Sequence, residues 1–494
     1  MRLLDRHRRW LALAFVLLAL PGCATVQRTA GLGQVDKQTS ARLGEQATWL
    51  HSPDETRAAE AKVRALLQNE LTADAAVRIA LLNNRGLQAT YERLGIAQAD
   101  LVQAGLLDNP ELALQYLFGD EGNLLEATII QPLMGVVTRA ARKQISAAQA
   151  EQVGFEVAQT VFELAMDVKA AYYAVLADAQ AIELLQQVTL GTEAAAELAA
   201  RQYQAGTLSR KDQALQQAFY AQAALDTAQA QARLQSDRER LNRLLGLWGE
   251  QTRWRMPTRL PQLPSALPPL DRVEQTAVEQ RLDLAATTRE VEAVYRAYGL
   301  TRDTRLLSAL GIGVTFKREP TGEHLVGPDL VLSLPVFDQG QARVARIESE
   351  LRMSERRLEA ASIDARSQAR DARLRLQTAF AAVKHYQVAL LPLHQTVVEE
   401  TLKFYNGMLV GAYELLLAQQ AQVLTAKQYV DANKEFWLAW VDLERAVGGG
   451  IPVPQFNPRA SAPAPGTLAA GSAAQPVPAP REMQWEESRS GESK

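Results

Sequence analysis

Apolar positions along this chain follow two periods. In most stretches they recur every three to four residues, as on one face of a helix; in short stretches they alternate residue by residue, as in a strand. Leu71 to Leu107 has the helical period, with Thr72 placed as an N-cap and Asn109-Pro110 as a stop. Leu112, Leu114, Tyr116 and Phe118 then alternate with Ala113, Gln115 and Leu117, which predicts a strand at about 110–118. Gly119 to Asn123 reads as a turn, and a second strand is predicted at about 124–133. Further on, Leu310, Ile312, Val314 and Phe316 alternate with Ala309, Gly311, Gly313 and Thr315. That predicts a strand at about 306–317, a loop from Pro320 to Gly327 and a strand at about 329–337 through Leu330, Leu332, Leu334 and Val336.

The helical stretches are long. Val161, Ala165, Val168, Tyr172, Val175, Ala179 and Ile182 keep a strict 4-3 spacing, the seam of a coiled coil. Residues 137–203 read as one helix, ~100 Å at 1.5 Å per residue. Ala369, Ala372, Leu376, Phe380, Val383, Tyr386 and Leu390 form a similar seam, and Pro392 is expected to kink or end that helix.

These elements repeat. Tyr203-Gln204-Ala205-Gly206-Thr207-Leu208 leads to Asp212, Leu215 and Gln217; Tyr405-Asn406-Gly407-Met408-Leu409-Val410 leads to Glu414, Leu417 and Gln419, all at an offset of 202. Gln131-Pro132-Leu133 parallels Leu334-Pro335-Val336, and Leu112 to Phe118 parallels Leu310 to Phe316. The expected organisation is a first repeat at 71–250, a Pro-rich linker at 251–270 and a second repeat at 271–448. Ile451 onward has no periodic apolar pattern, so 449–494 reads as a disordered tail.

Four short strands cannot close a barrel, and an open sheet edge is not tolerated in lipid. The alternation therefore asks for several copies in a closed ring. Past residue 23 no apolar stretch reaches 18 residues, so any passage through a membrane must be a barrel.

Composition narrows the function. The 494 residues carry a formal charge of −3, with no basic excess for nucleic acid. His51, His324, His385 and His394 are dispersed, Cys23 is the single cysteine, and no phosphate-binding loop is present. Nothing indicates catalysis, a cofactor or a metal centre. At the N-terminus, Arg2, Arg6, Arg8 and Arg9 precede the apolar run Leu11 to Leu20, a signal segment at 1–22. Leu20-Pro21-Gly22-Cys23 resembles a bacterial lipobox, which implies that Cys23 is lipidated and that 23–70 is a lipid-anchored segment. Ala24 is not the aspartate of inner-membrane retention, so the implied address is the outer membrane.

The duplicated plan, with Leu94-Gly95-Ile96-Ala97, Gly105-Leu106-Leu107-Asp108-Asn109-Pro110 and Pro335-Val336-Phe337-Asp338-Gln339-Gly340, resembles the TolC family of outer-membrane factors over roughly Leu71 to Gly448. The resemblance implies a mainly α chain with a small transmembrane β part. Three chains would form a twelve-stranded β-barrel, four strands each, over a coiled-coil helical tunnel in the periplasm. It also implies partners: a periplasmic membrane-fusion adaptor, an inner-membrane pump of the resistance-nodulation-division type, and outer-membrane lipid. The tips Ala205-Gly206-Thr207 and Met408-Leu409-Val410 would face the adaptor, with Gly206 and Gly411 making the tight turns. Asp212, Tyr405 and Glu414 would form a periplasmic gate, with Tyr405 hydrogen-bonded to Asp212 across neighbouring hairpins. Here the chain departs from the family pattern: Val410 and Leu417 replace an expected arginine and a second acid. Asp212 and Glu414 also read as solvated helix-surface acids. The expected function is passive export of small toxic compounds or metal ions. A protein-secretion duct and a pore-free coiled-coil scaffold are the alternatives.

Overall fold

The computed structural model describes residues 26–449 apart from 28, 121 and 308. The signal segment, Cys23 and the tail beyond Gly449 lie outside the described residues. The chain begins with α1 (Leu32–Leu43), α2 (Pro53–Leu67), α3 (Ala73–Asn83) and α4 (Arg85–Ala104). β1 (Glu111–Leu117) and β2 (Leu124–Pro132) follow, then the long helices α5 (Met134–Gln204) and α6 (Arg210–Leu245). The order recurs in α7 (Val273–Gln280), α8 (Leu282–Asp303), β3 (Leu310–Arg318), β4 (His324–Leu332), α9 (Gln341–His385), α10 (Leu391–Asn406) and α11 (Ala412–Val447).

The continuous stretch from Leu71 to Leu107 is not one helix. Thr72 caps α3 as expected, accepting from the Ala75 N–H, but Asn84 is extended (φ −68°, ψ 113°) and starts α4 by accepting from the Leu87 N–H. Its amide also donates to the Leu244 carbonyl at 2.9 Å. A short polar side chain that caps one helix and binds the end of another offsets the lost helical bonds. The second half breaks at the matching place, with Arg281 extended between α7 and α8.

Each break receives the end of its own long hairpin. Gly246 ends α6 and Gly448 ends α11, both left-handed, at φ 68° and 79°. A Cβ on Gly246 would lie 2.7 Å from the Asn83 carbonyl oxygen, and one on Gly448 2.9 Å from that of Gln280. Only glycine admits both the conformation and the approach.

The second pair of strands is displaced from its expected place. β3 starts at Leu310 rather than about 306, and β4 runs 324–332 rather than 329–337. Arg318 pairs directly with His324, closing a short loop that draws Leu325 to Gly327 into the strand. Pro328 is admissible because β4 is an edge strand.

α5 has 71 residues, about 107 Å of helix. Its seam residues Val161, Ala165, Val168, Tyr172 and Val175 are buried in one core with Leu376 of α9 and Phe436, Trp440 and Leu443 of α11. Pro392 neither ends nor sharply interrupts its helix: α9 passes through one π-turn, Tyr386–Leu390, into α10. The wider turn absorbs the missing donor and the crowding of the proline ring.

The Pro-rich segment at 251–270 is a strap rather than a free linker. Trp254, Leu260 and Leu270 are buried. The Leu260 N–H donates to Gln180 Oε1 at 3.1 Å, Trp254 Nε1 to Asn242 Oδ1 at 2.8 Å, and the Arg255 carbonyl accepts from the Leu71 N–H at 2.8 Å. Apolar anchors set between prolines press the segment onto the core.

Ion pairs fix the antiparallel register of α5 and α11. Arg445 meets Asp167 at 2.6 Å, Lys169 meets Glu444 at 2.8 Å, and Lys434 meets Asp178 at 2.8 Å. The Glu444 side chain is only 6% exposed, so this pair is selected by burial as well as charge.

Candidate functional site at the sheet and the hairpin tips

The strands form one antiparallel sheet in the order β1-β2-β3-β4. The helices attach at one end of it, and the turns 118–123 and 319–323 close the other. Leu112 stands opposite Ile129, Ile129 opposite Val314, and Val314 opposite Pro328, so these four share a face. Leu114, Phe316, Val326 and Leu330 lie on the same face, and Leu114, Val326 and Leu330 are 68%, 69% and 68% exposed. The opposite face is mixed and carries Gln115, Glu126, Thr128, Thr315, Lys317 and Asp329. Glu126 is in register with Lys317, and the Thr128 and Thr315 hydroxyls are 2.9 Å apart. One face is suited to hydrocarbon and the other to water, as in a membrane barrel. The outer edges of β1 and β4 have no strand partner among the described residues.

At the far end of the long helices the repeat is reproduced bond for bond. In the first tip the N–H groups of Ala205, Gly206 and Thr207 donate to the carbonyls of Arg201, Tyr203 and Gln202. In the second, those of Gly407, Met408 and Leu409 donate to Lys403, Tyr405 and Phe404. Gly206 is left-handed at φ 74°, as expected. Gly411 is not: it is extended at φ −85° and serves as the N-cap of α11. The residue that matches Gly206 is Met408, at φ 57° and 94% exposed, which takes the strained conformation without being glycine. Leu409 is 72% exposed, whereas Val410 is half-buried.

The acids of the two tips differ in what holds them. Ser209 caps α6: it accepts from the Asp212 N–H at 3.1 Å, and its hydroxyl donates to Asp212 Oδ2 at 2.7 Å. Gly411 offers Glu414 no such side chain, and the Glu414 carboxylate is exposed, with no hydrogen bond or ion pair among the described residues. Tyr405 is 40% exposed, and among the described residues its hydroxyl makes no bond, to Asp212 or otherwise. The two tips meet through a different pair. The Tyr413 hydroxyl donates to Gln202 Oε1 at 2.7 Å, at the mouth of a groove of about 300 Å³ lined by Gln187, Gly191, Gln216 and Leu417. Ser209 was legible as the start of a Ser-x-x-Asp cap; the Tyr413–Gln202 pair had no local signal.

Among the described residues no cluster of three or more His, Cys, Asp or Glu could hold a metal, and no helix is long and apolar enough to cross a membrane.

A duplicated strand-hairpin and helix-hairpin chain with a two-faced sheet has the fold of the TolC-type outer-membrane channels, as the sequence resemblance implied. It aligns with a crystal structure of CusC, described in terms of transmembrane channel formation, at a TM-score of 0.63 and 15% identity over 77% of this chain and 93% of that one. It aligns with the outer-membrane channel OprN at a TM-score of 0.63 and 18% identity over 78% and 92%. In sequence it is 26% identical over 282 residues to the cobalt-zinc-cadmium resistance protein CzcC of Cupriavidus metallidurans, 56% of this chain and 65% of that protein. The match thus spans just under two thirds of the relative's length. No family model matches the chain.

Proposed function

We propose that the protein is the outer-membrane exit duct of a tripartite efflux system, exporting small toxic compounds or metal ions by passive conduction. The observation that carries this reading is the open four-stranded sheet, with one apolar face, one mixed face and two unpaired edges. Pairing β4 of one copy with β1 of the next satisfies both edges, and three copies make a twelve-stranded barrel. The two repeats, 71–250 and 271–448, would be the six sectors of that ring. Their helices would extend into the periplasm as a tunnel.

In this reading the tips, Ala205 to Thr207 and Met408 to Val410, dock on a periplasmic adaptor that links the duct to an inner-membrane pump. The exposed Met408 and Leu409 support a docking role. Glu414 from each chain, free of partners, would form an acidic ring at the entrance, with Asp212 and Tyr405 nearby. Lipidation of Cys23 would anchor the chain. The CzcC likeness favours metal cations as cargo.

Trimer bands that dissociate on heating, together with ion conductance in planar bilayers, test the duct. A soluble monomer without conductance refutes it. Cobalt, zinc, cadmium and drug susceptibility of a deletion strain tests the cargo: unchanged metal tolerance with increased drug sensitivity refutes the metal assignment.

A further inference from the structure

We propose that the sheet's apolar face ends in a binding site for an anionic, phosphate-bearing lipid headgroup, built from Arg318 and His324. The proposal rests on the barrel reading above, because it needs the apolar face to meet lipid. Register places two basic-type side chains on that face, Arg318 and His324, and they stand directly opposite each other at the turn end, away from the helices. Both are exposed. His324 stacks on Phe316, one step further into the apolar band, at 5.8 Å between ring centres. Among the described residues the Arg318 side chain has no hydrogen bond, ion pair or ring contact. Its neighbour Lys317, on the opposite face, is paired with Glu319 at 3.3 Å. At the helix end of the apolar face, the one polar side chain, Gln131, is satisfied by the Asp108 carbonyl at 2.9 Å.

An unpaired guanidinium at the border of an apolar band wants an anion held at that depth. A phosphate headgroup offers one, with its acyl chains covering Leu114, Val326 and Leu330 below. Tyr116 completes the row two strands away, about 10 Å along the sheet. Asn123 Nδ2 donates to the Tyr116 hydroxyl oxygen at 2.8 Å, which leaves that hydroxyl's own proton free to reach a headgroup oxygen.

The full-length protein in detergent is titrated with phosphatidylglycerol and with phosphatidylcholine, and bound lipid is counted by native mass spectrometry. Wild type should hold the anionic lipid about tenfold more tightly, as expected of a charge-assisted contact, and R318Q/H324Q should lose that preference. K317Q, changed on the other face, should keep it. Equal binding of both lipids by wild type, a preference that survives in R318Q/H324Q, or its loss in K317Q overturns the site. So does complete displacement of the lipid by millimolar inorganic phosphate, which would make the site one for free phosphate. Conductance of the same preparations separates the two readings: a conducting wild type with no lipid preference overturns the headgroup site alone, and one that neither conducts nor discriminates overturns both.

Discussion

The Tyr413 hydroxyl donates to Gln202 Oε1 across 2.7 Å, joining residues 211 apart in sequence and the ends of the chain's two helical hairpins. Further up, α5 and α11 are held by four ion pairs among the described residues and by the stack of Tyr173 on Trp437 at 5.1 Å. Near the tips that dense contact thins to one hydrogen bond and a groove. No residue of α10 is buried. The tip of the second hairpin is thus weakly supported within the chain.

Tyr413→Phe should weaken the tip by about 1 kcal/mol, the usual worth of a neutral hydrogen bond. Gln202→Ala in the Tyr413→Phe background should add little, because both changes remove the same bond. Amide exchange of residues 405–416 reads this. Additive acceleration by the two substitutions would mean that they act separately.

Met408→Gly should stabilise the isolated protein and Gly206→Ala should destabilise it, each by about 1 kcal/mol, because both positions are left-handed. Thermal unfolding midpoints of the two variants should move in opposite directions. A fall in both would show that the Met408 side chain contributes more than its backbone strain takes away.

Lys169→Ala leaves Glu444 buried without its partner and should cost about 3 kcal/mol. Replacing both residues with methionine should recover most of that loss, since a packed apolar pair needs no desolvated charge. Denaturant midpoints of the single and double variants test this.

The Asp237 carboxyl is held above its ordinary range, chiefly by burial and next by the neighbouring Asp178, while Lys434 pulls it down. A carboxyl raised in the folded state favours folding below its unfolded pKa, and that contribution is lost as pH rises through the folded value. Asp237→Asn should therefore raise the melting temperature at neutral pH and have a smaller effect near pH 4. A larger gain in acid than at neutral pH would contradict the assignment.

Glu414→Ala should reduce block of the conducting channel by divalent cations, because the free carboxylates converge in the proposed entrance ring. Asp212→Asn should affect block less and tip stability more, since Asp212 is tied to Ser209. Unchanged block in Glu414→Ala removes the acid from the gate.

Much of this was legible in the chain because period and repeat are local signals. The heptad from Val161 to Val175, the strand alternation from Leu112 to Tyr116, and the matched tips at an offset of 202 need no tertiary knowledge. What escaped was set by contact. Asn84 breaks a helix whose apolar period continues through it, because its amide has Leu244 to bind. Met408 takes the left-handed turn that Gly206 takes with glycine, while Gly411 serves as a cap, an exchange that composition alone would assign the other way. β4 begins at His324 because it pairs with Arg318, which no count of alternating residues within β4 contains.

The strap from 251 to 270 has a mechanical consequence. It is bonded to Gln180, Asn242 and Leu71 of the first half, and its Pro261 carbonyl accepts from Trp437 Nε1 of α11 at 3.3 Å, so the join is tied to both halves. A pull on one hairpin tip, passed along its helix, would reach this strap, which touches both halves. The two halves would respond to a docking load together, as one lever with two arms.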